Sequence, residues 1–454
     1  VAIGFEAMKL SPAGLALETT IAIGYRAMYG SGNTTSGISG NVAIGSSAGY
    51  TITSGGNNVF LGYHAAYNVT AGSKNVIVGR HAGNKLASGS SDTYIGYSAG
   101  YYATGSYNTF VGESAGKGGT TSAPYSSGEY NTAVGYQAFD SFTSGWRSVA
   151  IGYYAGSNVT SGGANVFIGE QAGTAHDDSN YNVLIGYRVG GNGTSGAGDN
   201  NVVIGAQAGG QQATMTGGNN TILGMQAMQY ATTTSGNISI GWDSGNALST
   251  GDYNIFMGYS AGSNTTDVDY SVIIGFQAGN GVMTSDADGT IAIGYQAGNA
   301  ITTGVQNTVI GYEAMKTGNN IQYNTVIGYQ AWTLAPAGAN HNVVIGAGAG
   351  AGVSANSDSN IIIGSAAGTG GGASLMGVIA IGNNALNSTA ANAQTGTIAI
   401  GHEALTALTS GGSNTAIGYQ AGKALTTSGN NVAIGYDSLI SAVDSCNSNV
   451  AIGV

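Results

Sequence analysis

The nine residues Asn414-Thr415-Ala416-Ile417-Gly418-Tyr419-Gln420-Ala421-Gly422 recur, with drift, along the whole chain. The glycine of each Ile-Gly-like pair serves as an anchor, beginning at Gly4, Gly24, Gly45 and Gly62 and ending at Gly418, Gly435 and Gly453. There are 26 such anchors, most often 17 residues apart and never closer than 16. A fixed short period describes an array in which each unit buries its apolar face against its neighbours. Residues 1–454 are therefore expected to form one continuous repeat array, and the ends at Val1 and Val454, inside motifs, lead us to expect an excerpt of a longer fibrous protein.

Positions are numbered from the anchor. Position −1 is aliphatic or Met (Ile44, Ile151, Ile168) and −3 is always Val, Ile or Thr. Alternation with a period of two reads as a strand, and the uniform −3 and −1 residues are expected to face the interior. Position −2 is Ala in 11 of the 26 copies, and elsewhere mostly larger, as at Phe60, Ile77, Phe110, Phe167 and Phe256. A strand apolar on both faces is normally covered on both, so these five are expected to form an interchain face.

Position +1 is most often Tyr (Tyr136, Tyr153), expected to stack on itself along the array. Position +3 is almost always Ala (Ala155, Ala172), the mark of a tight corner. Position +4 is usually Gly but sometimes larger, as at Met28, Phe139, Met228, Trp332 and Leu405, and is expected to be partly exposed. Asn fills −4 in 18 of 25 copies, from Asn41, Asn58 and Asn75 onward. It predicts a ladder of side-chain amides that also satisfies turns. The rest of each period is Gly, Ser, Thr and Asn, which is turn chemistry.

One strand, a corner and a turn in about 17 residues fit one coil of a parallel β-solenoid (β-roll), an all-β fold with coils roughly 4.8 Å apart. Burying one Val and one Ile per coil falls short of the entropy of ordering it. Lateral association is therefore expected, most simply as a parallel homotrimer.

Asn431-Val-Ala-Ile-Gly-Tyr436 and Ser148-Val-Ala-Ile-Gly-Tyr153 resemble the head repeats of YadA-like trimeric autotransporter adhesins. That resemblance implies trimeric, left-handed parallel β-rolls on a bacterial surface. The Tyr-Gln-Ala-Gly runs also resemble repeats of bacteriophage tail-fibre-like proteins.

Composition narrows the function. A net charge of −11 with only 10 Lys and Arg argues against nucleic-acid and anionic-membrane partners. No apolar run is long enough to span a bilayer. Cys446 stands alone and forms no internal disulfide. G-x-S-x-G patterns at Ser47, Ser98, Ser114 and Ser260 copy a nucleophile elbow, but the serine is simply position +2 and no helix follows. His64 and His81 read as a stacked pair. The acidic clusters His176-Asp177-Asp178, Asp267-Val-Asp269 and Asp286-Ala-Asp288-Gly289 fall short of the oxygens calcium takes. Sequons at Asn33, Asn158 and Asn264 are expected by chance in so Asn/Thr-rich a chain. No cofactor or metal site is expected.

The sequence thus reads as a non-enzymatic extracellular or cell-surface fibre, or adhesin shaft. It would be a stiff spacer and multivalent contact surface, partnered by itself and by a surface glycan or receptor. The alternatives are a bacteriophage tail fibre on a virion surface and a β-helix polysaccharide-processing enzyme; an ice-binding surface would demand a regular Thr array that −3 does not supply.

Overall fold

In the computed structural model the described residues are 1–9, 19–30, 38–174, 176–191, 198–210, 215–353, 357–370, 374–389, 392–441 and 446–454. The sequon at Asn33 lies outside them. They divide into two compact units, Val1–Thr233 and Thr234–Val454.

Each unit is a parallel β-solenoid built from thirteen motif strands, one before each anchor. All are three residues long except Ala2–Ile3. Within a unit, neighbours pair in parallel and in constant register. Val59, Phe60 and Leu61 lie against Val76, Ile77 and Val78, and Ile255, Phe256 and Met257 against Val272, Ile273 and Ile274. Every motif strand is therefore a rung. Among the described residues a second strand appears only at Leu375–Met376, paired with Gln394–Thr395, and one short 3-10 helix at Ser285–Ala287.

The anchor glycine explains why each strand stops. Gly152 has φ +141° and Gly418 φ +140°, a region closed to L side chains. A Cβ there would also collide with the carbonyl of the next anchor, Gly169 or Gly435. Corners follow at once. Position +2 is left-handed even when not glycine (Gln420, φ +53°), and so is +4 (Gly422, φ +62°). Position +3 is sealed inside: Ala155 and Ala172 are fully buried.

The facing of the strand is the reverse of the sequence expectation. Position −2 points inward: Phe60, Ile77, Phe110, Phe167 and Phe256 are fully buried within a single chain, so they form its core and not an interchain face. The −3 and −1 residues point out; Ile44 and Ile151 are 37% and 39% exposed and Ile168 is half-buried. Position +4 is also corrected, since Met28, Phe139, Met228, Trp332 and Leu405 are all buried.

The physical reason is that −2 shares the interior with +4 and, in most described coils, +7, so bulk missing at one position can be supplied at another or from the next coil. Phe110 is matched by Gly116, where a Cβ would strike the Phe110 ring, whereas Ala133 is matched by Phe139 and Phe142, whose rings stack 5.2 Å apart. A Cβ on Gly100 would lie 2.6 Å from the Tyr94 ring, and one on Gly49 2.8 Å from the Phe60 ring. Glycine at +4 is thus the space a −2 ring needs.

Candidate interaction face

The interior carries its own polar ladder. Asn58 N–H donates to Asn41 Oδ1 at 2.9 Å, and Asn75 N–H to Asn58 Oδ1 at 2.9 Å. The same amides donate outward across the turn, Asn58 Nδ2 to Gly72 O and Asn75 Nδ2 to Gly89 O, both at 2.9 Å. In the second unit Asn254, Asn342 and Asn431 repeat the pattern on Asn237, Asn324 and Asn414. These amides are buried, so each satisfies groups that would otherwise be costly.

A second ladder, at −6, was not anticipated. There a side-chain oxygen accepts the N–H of the preceding coil, as Asp269 Oδ1 does for Asp252 (2.7 Å) and Asp288 Oδ1 for Asp269 (2.8 Å). Two of the aspartates that resemble ion ligands in sequence, Asp269 and Asp288, are therefore used as turn acceptors. Among the described residues no group of three His, Cys, Asp or Glu is placed to hold a metal ion.

Two ladder or core positions hold titratable groups. Asp92 replaces Asn at −4. Its Oδ1 accepts Asn108 N–H at 2.8 Å, its Oδ2 is buried without a donor, and burial pushes the carboxyl up to about 7. His176 is buried at +7, and burial lowers its imidazole to about 4. Its Nε2 lies 3.1 Å from Gly190 O, which can only accept. Nε2–H is therefore the donor, and Nδ1 accepts from Ser179 Oγ at 2.9 Å.

The other sequence candidates separate. Ser47, Ser98, Ser114 and Ser260 occupy left-handed corners, and Ser260 Oγ donates to Asp243 Oδ2 at 3.4 Å. His64 and His81 meet edge-on at 5.3 Å. Asn158 and Asn264 are exposed, and Asn264 Nδ2 donates to Asn280 O at 2.9 Å.

A cleft of about 390 Å³ beside Glu129, Tyr130, Trp146 and Arg147 gathers aromatic and charged groups. The Tyr130 ring is stacked on Tyr107 at 4.8 Å, with the Arg147 guanidinium 5.8 Å from its centroid. Both ring faces are thereby engaged by the protein itself.

The most extensive feature is the outer wall itself, formed by columns −3, −1 and +1. Tyr136 and Tyr153 stack at 5.5 Å in the first unit. In the second, Trp242, Tyr259, Phe276, Tyr295, Tyr312 and Tyr329 form one run with centroids 4.6, 5.1, 5.3, 4.8 and 5.3 Å apart. Their faces cover one another and their edges meet solvent, leaving them 37–57% exposed. Aliphatic residues lie alongside, including Ile238 (38% exposed) and Met257 (39%). The first unit interrupts its +1 column with Arg80, Glu113 and Glu170; the second has no Asp, Glu, Lys or Arg in any of the three columns. Large contiguous apolar surfaces of this kind mark interaction sites.

No family model matches the chain, and no curated protein matches it.

Proposed function

We propose that the chain is a non-enzymatic structural shaft working outside the cell, laterally associated with copies of itself, most simply as a parallel trimer. Its job is mechanical: it holds attached parts at a distance and offers repeated weak contacts to a surface glycan or receptor through the variable connectors, which add by avidity. The observation that carries this reading is the constant register of every described strand pair within each unit, reinforced by two side-chain ladders. Each coil is held to the next by many parallel bonds that must break together. The Val-Ala-Ile-Gly resemblance suits an adhesin-type shaft and the Tyr-Gln-Ala-Gly resemblance a bacteriophage tail fibre, and the mechanical role is the same in both. A polysaccharide-processing site would need free acidic groups facing one another; Asp252, Asp269 and Asp288 are spent on backbone N–H groups, and Glu6, Glu313 and Glu403 are each paired with Lys or Arg.

Single-molecule force spectroscopy on the full chain tests the mechanical reading. Release of whole coils should appear as repeated steps on the order of 50 Å, the contour of about 17 residues. Featureless extension at low force would overturn it.

A further inference from the structure

The strands' true facing moves the self-association surface to the opposite side from the −2 residues. We infer that the uncharged outer wall of the second unit, columns −3, −1 and +1 from Ile238 to Tyr329, docks other copies of this chain. This rests on the lateral association proposed above and names the face that performs it.

Four observations favour a copy of the chain as occupant. The first is area. Six coils present eighteen outward residues, the six rings 37–57% exposed and ten of the other twelve half-buried, a strip on the order of 1,000 Å² per copy, in the range of stable homomeric interfaces. The second is charge. The chain carries −11 overall, so copies repel unless they meet where carboxylates are missing, and this strip has none. The third is repeat. Contacts recur once per coil, and only a partner with the same axial spacing can meet every rung; a second copy has that spacing by construction. The fourth is ring orientation. The aromatic faces are already stacked on one another, so sugar rings find no open platform, while the exposed edges and the Ile and Met side chains suit sheet-on-sheet packing about 10 Å apart.

The experiment is analytical ultracentrifugation of the full chain in three forms: wild type, Met257→Lys/Tyr295→Lys on the wall, and Thr250→Lys/Val282→Lys. The last pair adds the same charge at exposed connector positions. Circular dichroism and protease resistance establish that each variant folds; the substituted side chains are all solvent-facing in the single chain. Wild type and the connector variant should sediment at a multiple of 44.8 kDa. The wall variant should dissociate at least about tenfold more readily, because association would bury unpaired ammonium groups. Assembly unchanged in the wall variant would overturn this face while leaving lateral association standing. A wild-type chain that stays at 44.8 kDa at every concentration would overturn both.

Discussion

The two sides of one strand obey different rules. On the inner side, neighbouring coils differ freely: Tyr94, Phe110, Ala133, Ala150 and Phe167 succeed one another at −2, all buried. On the outer side, the flanking positions barely change: Thr93, Thr109, Thr132, Val149 and Val166 at −3, with Ile or Val at −1. An interior shared by several positions and by neighbouring coils lets bulk move between them, because close packing is a property of the layers and not of one residue. An outer column has no such partners, and each residue meets its own kind above and below. Within the strand, therefore, uniformity marks the outward −3 and −1 positions and variability marks the inward −2 position.

The largest effects should come from breaking the inner compensation. Phe110→Ala leaves a cavity beside Gly116 and should cost about 3–5 kcal/mol, read by chemical denaturation. The pair Phe110→Ala/Gly116→Phe recreates the arrangement of Ala133 and Phe139 and should recover most of that loss. Failure to recover would mean that the layers are not interchangeable.

Next in size is the ladder. Asn131→Ala removes the acceptor of Ser148 N–H (3.0 Å) and the donor to Gly145 O (2.8 Å). Leaving those buried groups unpaired should cost about 2 kcal/mol, with faster amide exchange in the coils on either side.

A smaller, pH-dependent effect should follow at Asp92. Its carboxyl titrates near 3.8 when unfolded and at about 7 when folded. Between those values the unfolded chain has lost a proton that the folded chain keeps, so stability falls as pH rises from about 4 to about 7. Asp92→Asn should abolish that fall, and the difference between the two proteins should level off above about pH 7. His176 has the opposite sign: its folded value is depressed, so its coil loses stability as pH drops from about 6.5 towards about 4. His176→Leu should remove that acid sensitivity, measured as amide exchange of the surrounding coil.

The smallest effect belongs to the outer wall. Ile151→Thr should change the stability of the dissociated chain by less than about 0.5 kcal/mol, because Ile151 already meets solvent.

The repeat, the strand at each motif and the spacing of the rungs were legible because Ile-Gly recurs at a nearly fixed period. The asparagine ladder was legible as well, since Asn41, Asn58 and Asn75 have no other reason to recur. Facing was not. Period-two alternation separates Phe60 from Val59 and Leu61 but does not say which of them turns inward. The deciding signal lay outside the strand, in pairs such as Phe110 with Gly116 and Ala399 with Leu405, where bulk at −2 and +4 trades off. The −6 ladder was hidden because Ser73, Asn180 and Asp269 share no residue type, only an oxygen able to accept a backbone N–H. The wall's role was concealed by the same inversion: once Ile44 and Ile151 are outside, the stacked Tyr column beside them becomes part of an apolar surface.

Amide hydrogen exchange across 108–116, compared between Phe110→Asp and Val111→Asp, tests the facing of the strand most directly. The account predicts that Phe110→Asp abolishes protection of that coil, because a carboxylate would enter a closed apolar layer. Val111→Asp should leave it protected, with the charge in solvent. Loss of protection in Val111→Asp, with Phe110→Asp remaining protected, would contradict it.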